Sequence, residues 1–144
     1  MEQLIEAMKQ ALANTFVLYF QAHSAHWNVE GQDFKQYHDF YSDLYTELHE
    51  AIDDLAEHMR ALDVMAPKSL SEMLMNASID PRFISTNPRD LTQDLKTGND
   101  VCLVSLMLAF KAAEAAGEVG VADFLTQRID THQKHGWMLR SSLK

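Results

Sequence analysis

One cysteine in 144 residues excludes an internal disulfide framework. That residue, Cys102, sits in the apolar run VCLVSLMLAF, where core packing is its expected role. Glycine and proline are also scarce, at five and three residues, which argues against many short strands and for long helices. No stretch reaches 18 apolar residues, so no membrane-spanning helix is expected. The opening MEQLIEAMKQ lacks the basic and apolar regions of an export signal, and a cytoplasmic location is expected. Basic residues number 12 against 21 acids, and they are scattered singly, which disfavours a clustered basic surface for nucleic acid. What is present is 47% hydrophobic composition in a chain of one-domain length, enough for a core without disulfide or metal staples. A single all-α domain over residues 1–144 is expected.

Helical periodicity organises the chain. Leu4, Ile5, Met8, Leu12, Phe16, Tyr19, Phe20, His23 and Trp27 recur in steps of three and four, predicting a first helix from about Met1 to Trp27. Asn28 to Asp33, with Gly31 inside, supplies turn chemistry, and Asp33 is placed to cap a second helix. That second helix carries Phe34, Tyr37, Tyr41, Leu44, Tyr45, Leu48, Ile52, Leu55, Met59 and Leu62 to about Asp63. SLSEMLMNAS then offers a short connecting helix, Ser69 and Glu72 standing in capping-box relation. Asn87-Pro88 is a start signal for a third helix through Leu91, Leu95, Val101, Cys102, Leu108 and Ala112 to Gly117, with Gly98 inside it either costing about 1 kcal/mol of helix propensity or permitting a close neighbour. Val121, Phe124, Leu125, Ile129, His132, Gly136, Leu139 and Leu143 mark a fourth. The pattern fits a four-helix bundle whose long link, from Asp63 to Pro88, crosses the bundle's length.

Between Glu30 and Asp63 ten acids oppose only Lys35 and Arg60, a segment that attracts cations. His26 and His38 flank the first turn, so an antiparallel hairpin brings them face to face, and imidazole suits zinc, copper, iron and nickel. Asp53 and Glu57 stack four apart on the second helix. They are rotated by about 60° and about 100° from His38, but Asp53 lies roughly 22 Å away along the axis. One chain cannot bring all four to one ion. Two copies crossing antiparallel about a two-fold axis can, each site taking His26 and His38 from one chain and Asp53 and Glu57 from the other. On spacing alone a second reading stands beside this one: helix-end histidines in ordinary packing, and acids on a solvated face. His23 and His49, one turn before His26 and Asp53, are placed to support the ligands; for these two and for His58, His132 and His135, packing or solvent contact is the default. No glutamate has a histidine three residues later, which turns the search from a site at the bundle centre toward an interface.

The stretch HWNVEGQDFKQYHDFYSDLYTELHEAIDDLAEH resembles the Dps-like mini-ferritins. It shares their HW, short glycine-containing turn, phenylalanine, second histidine twelve residues on and D-x-x-x-E pair, and the likeness extends to SLSEMLMNAS and KHGWM. The resemblance implies a ferritin-like bundle with a short extra helix between helices two and three, assembled as a dodecameric homo-oligomeric shell. It implies a ferroxidase that oxidises Fe(II) with hydrogen peroxide or oxygen at two-fold interfaces through His26, His38, Asp53 and Glu57, stores ferric mineral and limits oxidative damage. It also implies a tryptophan beside the site, Trp27, and acids lining a three-fold pore, which map to Glu114, Glu118 and Asp123. Two departures stand out. Ser42 occupies a position where many members have a carboxylate, with Asp43 about 100° around the helix, and His58 replaces an arginine and is a further candidate ligand. Zinc is therefore an alternative occupant. The first base is Lys9, so the lysine-rich tail of DNA-compacting members is lacking and DNA binding is not expected; a DNA-compacting protein with weakened catalysis is the alternative from another class.

Overall fold

A computed structural model describes residues 1–80 and 85–144. It contains five helices among those residues: α1 (Glu2–Asn28), α2 (Phe34–Ala61), α3 (Leu70–Met75), α4 (Pro88–Ala116) and α5 (Val119–Leu143). The four long ones form the bundle, α1 packing on α2 and α4, and α4 on α5. Among the described residues no helix is long and apolar enough to cross a membrane.

The predicted link crosses the bundle tied by two α1 side chains and, beyond α1, by one backbone hydrogen bond from the first turn. Asn14 Oδ1 accepts from the backbone N–H of Ser78 at 2.8 Å, Gln21 Nε2 donates to the Asp80 carbonyl at 2.9 Å, and Glu30 N–H donates to the Thr86 carbonyl at 3.0 Å. Residues 81–84 of this link lie outside the described residues. The Ser69 hydroxyl caps α3 through Glu72 N–H, while Glu72 reaches back to Lys68 N–H rather than to Ser69 itself. Asn87 caps α4 as its sequence suggests, accepting from Arg89 and Asp90 N–H.

Asp33 departs from the expected role. It adopts a left-handed backbone (φ 63°), a conformation aspartate tolerates, and its side chain makes no cap hydrogen bond; only its carbonyl enters α2, accepting from Tyr37 N–H at 3.1 Å.

The core is built from Leu4, Met8, Leu12, Tyr41, Leu48, Leu55, Leu91, Leu95, Cys102, Leu106, Leu125 and Leu139, all buried. The α1 stripe read from periodicity is displaced. Ala11, Val17, Leu18, Ala22 and Ala25 are buried, whereas Phe20 and Trp27 are 50% and 57% exposed. Leu108 on α4 is likewise half exposed. Alanines supply the inner face because helices close tightly there, and the large rings turn outward, giving α1 a second apolar face. At Gly98 a Cβ would lie 3.0 Å from both Leu18 Cδ1 and Gln21 Oε1, so this glycine does permit the close approach of α1 to α4.

Candidate metal centre

The last four carbonyls of a helix have no partner within it, and at the end of α1 one of them is used for the site. His38 Nδ1 lies 2.8 Å from the His26 carbonyl oxygen, and His26 Nδ1 lies 2.7 Å from the His38 carbonyl oxygen. A carbonyl can only accept, so each ring carries a proton on Nδ1. The two Nε2 atoms are then the nitrogens left with a lone pair in the neutral rings, the form that binds metals. The rings stack at 3.7 Å between centroids and 18° between planes. Phe34 covers His38 from outside at 5.0 Å, and Tyr45 meets His26 edge-on at 5.1 Å. Packing and hydrogen bonds thus fix tautomer and orientation together, which is how protein groups tune a metal-binding histidine.

His23 is held in the same packing. Its Nδ1 is 3.0 Å from the Tyr19 hydroxyl, and its ring stacks on Tyr45 at 3.8 Å and lies 4.1 Å from Trp27. Burial, then the nearby His26 and His49, push its pKa below the ordinary imidazole value. His49 lies against Tyr19 at 5.2 Å. Trp27 therefore touches His23 and Phe20 and leaves much of its face to solvent.

Asp53 and Glu57 are exposed on α2, far along the helix from His38, and neither forms a hydrogen bond or ion pair among the described residues. Among those residues no three His, Cys, Asp or Glu side chains are grouped so as to hold a metal. One subunit brings together the two histidines and, apart from them, presents two carboxylates. Ser42 is half-buried one turn after His38. Asp43 lines a cleft of about 580 Å³ with Tyr37, Phe40 and Trp137, between the start of α2 and the end of α5, so it turns away from the histidine pair and does not replace the carboxylate lacking at Ser42. His58 stacks on Phe124 of α5 at 4.0 Å and 13°, with Nδ1 donating to the Asp54 carbonyl at 2.7 Å. That contact sets the carboxylate end of α2 beside the α4–α5 turn, where Glu114, Glu118 and Asp123 lie. Glu114 and Asp123 are exposed and Glu118 is partly so.

A second polar cluster packs His132 and His135, whose default expectation was packing or solvent, against Arg128 and Glu47, for which no role was read from sequence. Arg128 clamps Glu47 with both terminal nitrogens, at 2.5 and 2.9 Å, and His135 Nε2 meets the same carboxylate at 2.9 Å. Arg128 Nη2 also donates to His132 Nε2 at 3.1 Å, which places the His132 proton on Nδ1, donating to Asn99 Oδ1 at 2.9 Å. Burial alone would raise the Glu47 pKa, but the bonds from His135 and Arg128 outweigh it and hold the carboxyl at about 2. Burial, then the charges of Arg128 and His135, depress His132 to about 3. A signal existed: Val121, Leu125, Arg128, His132, His135 and Leu139 form one buried stripe in steps of three and four. Polar residues at core positions imply a satisfied internal network. The partner Glu47 is on another helix, and no local pattern points to it.

Known proteins match this chain over nearly its whole length. A family model described as a ferritin-like domain matches residues 5–144. General stress protein 20U of Bacillus subtilis is 32% identical over 142 residues, covering 99% of this chain and 98% of that one. DNA protection during starvation protein 2 of Bacillus anthracis is 28% identical over 142 residues, covering 99% and 97%. Among solved structures, the Dps protein of Vibrio cholerae, described as belonging to a broad superfamily of ferritin-like diiron-carboxylate proteins, superposes with a TM-score of 0.95 at 30% identity, covering 99% of this chain and 90% of that one.

Proposed function

Because the chain belongs to the ferritin-like family, as a Dps-like mini-ferritin, we propose that it oxidises Fe(II) with hydrogen peroxide at sites shared by two subunits and stores the ferric product in a dodecameric shell. The observation that carries this reading is the reciprocal lock of His26 and His38, which holds two Nε2 lone pairs ready for a metal with no third ligand grouped beside them among the described residues. Asp53 and Glu57, exposed and unpaired, are the complement that a two-fold neighbour brings. Iron here is substrate. Nitrogen and carboxylate ligands suit an ion that must bind, lose an electron and leave. Two Fe(II) give one electron each, and the pair of electrons cleaves the O–O bond of peroxide to water without releasing hydroxyl radical. Molecular oxygen is the alternative oxidant. Glu114, Glu118 and Asp123 supply the acidic entry for the cation.

Ser42 favours a second reading. A hydroxyl in place of a carboxylate removes one negative charge from the site, lowering affinity for a hard cation relative to zinc. Anaerobic Fe(II) titration followed by peroxide separates the two. Stoichiometric oxidation that falls to background when Asp53→Ala and Glu57→Ala are combined supports the ferroxidase; wild-type oxidation no greater than that of the double variant overturns it. DNA is not part of the proposal, given a net charge of -9, and a salt-dependent gel shift by the intact shell would contradict that.

A further inference from the structure

Seven histidines are present, and six are engaged through ring nitrogens. His26 and His38 each meet the other's carbonyl, His23 meets Tyr19, His58 the Asp54 carbonyl, His132 both Asn99 and Arg128, and His135 Glu47. His49 is the exception. It is exposed on α2, its ring rests on Tyr19 at 5.2 Å, and among the described residues neither of its nitrogens makes a hydrogen bond. At roughly 100° per residue it lies about 20° around the helix from His38, with Ser42 at about 40° and Asp53 at about 60°, so all four share one narrow stripe. An uncommitted imidazole, whose neutral ring has one nitrogen lone pair for a metal, thus stands in the row that carries the proposed ligands.

An antiparallel crossing that sets His38 midway between the partner's Asp53 and the partner's Glu57 matches each step forward on one α2 with a step back on the other. Ser42, four residues on, then meets the span between the partner's His49 and the partner's Asp53, each about 3 Å away along the axis. We propose that His49 supplies the ligand that Ser42 cannot: in each site the partner's His49 binds a second metal ion beside Ser42, and the partner's Asp53 lies between that ion and the one held by His26 and His38. This rests on the ferroxidase reading above, in which two Fe(II) act together at a site shared by two subunits. An imidazole in place of a carboxylate leaves the second position one negative charge poorer and selects Fe(II), Co(II) or Zn(II) over Mn(II). His49 is thus both a ligand and a determinant of which metal fills the site.

Anaerobic Co(II) titration of the metal-free assembled protein, followed by calorimetry and visible absorption, tests this without any turnover. Counted above the combined Asp53→Ala and Glu57→Ala variant, the wild type should bind two Co(II) per site, and His49→Ala should bind one, keeping the absorption of the ion at His26 and His38. Adding Ser42→Asp to His49→Ala should restore the second ion, a rescue that a merely structural role for His49 would not give. His49→Gln, closer in size, should lose the second ion as well and gives the same reading should the alanine variant fail to assemble. A second ion that survives both His49 substitutions, a wild type that binds one ion per site, or no rescue by Ser42→Asp overturns this proposal alone. A single extra ion per pair of subunits, in place of two, would set both His49 rings on the two-fold axis and overturns it too. No Co(II) bound above the double variant overturns the shared site of the ferroxidase reading, and this assignment with it.

Discussion

At the scale of single residues, the groups with the most displaced protonation are not in the proposed site but at the bundle centre. Glu47 titrates at about 2 in the fold, against 4.5 ordinarily, and His132 at about 3, against 6.5. Both pKa values are lowered, so in each case the unfolded chain binds more protons than the fold between the two values, and stability is lost as pH falls. For His132 the loss begins near pH 6.5, and for Glu47 it adds below about 4.5. Chemical denaturation at fixed protein concentration should show stability falling from pH 7 to pH 4, and His132→Gln should flatten that slope. A slope unchanged by the substitution would mean that His132 is not the titrating group. Glu47→Ala leaves Arg128 buried without its partner and should cost roughly 3 kcal/mol.

Among the elements, what local pattern can encode was legible, and what depends on a second element was not. The caps at Asn87 and Ser69 and the bounds of the four long helices came from short-range rules, whereas the choice between a propensity cost and a close neighbour at Gly98 was decided by α1. The inner face of α1 did not follow from such rules either. Phe16, Tyr19, Phe20, His23 and Trp27 keep helical spacing as well as Leu4, Met8 and Leu12 do, and periodicity cannot say which of two apolar faces meets the bundle. Tight packing against α4 selected the alanine face. That contact predicts the result of Gly98→Ala: helix propensity gains about 1 kcal/mol, while a methyl 3.0 Å from Leu18 and Gln21 costs about 1–3 kcal/mol as overpacking. Net destabilisation of roughly 1 kcal/mol is expected by denaturant titration, and a stabilised variant would show that α1 can withdraw freely.

For the whole molecule, the proposed sharing of each site between subunits makes a prediction that no single-chain site shares. Chains carrying His26→Ala and His38→Ala should be inactive alone, as should chains carrying Asp53→Ala and Glu57→Ala. Co-assembled one to one, half the dimers are mixed, and each mixed dimer has one intact site, so about a quarter of wild-type ferroxidase activity should return. No recovery in assembled mixed shells would place all four ligands on one chain. The helix spacing already showed that the two pairs lie too far apart to meet within a subunit. The mutual clasp of the histidines was not legible, because it depends on backbone carbonyls that carry no sequence signal.

The Arg128 clamp at the bundle centre has a further consequence. A ferritin-like bundle offers its interior as the natural place for a cation, but here the interior carboxylate, Glu47, already has a covalently tethered counter-ion that cannot diffuse away or be competed off. Among the described residues the interior then offers no grouped set of metal ligands, and on the proposed reading the oxidation depends on the contact between subunits. Dilution that parts the subunits should therefore act as an off-switch, stopping the chemistry while every helix remains folded.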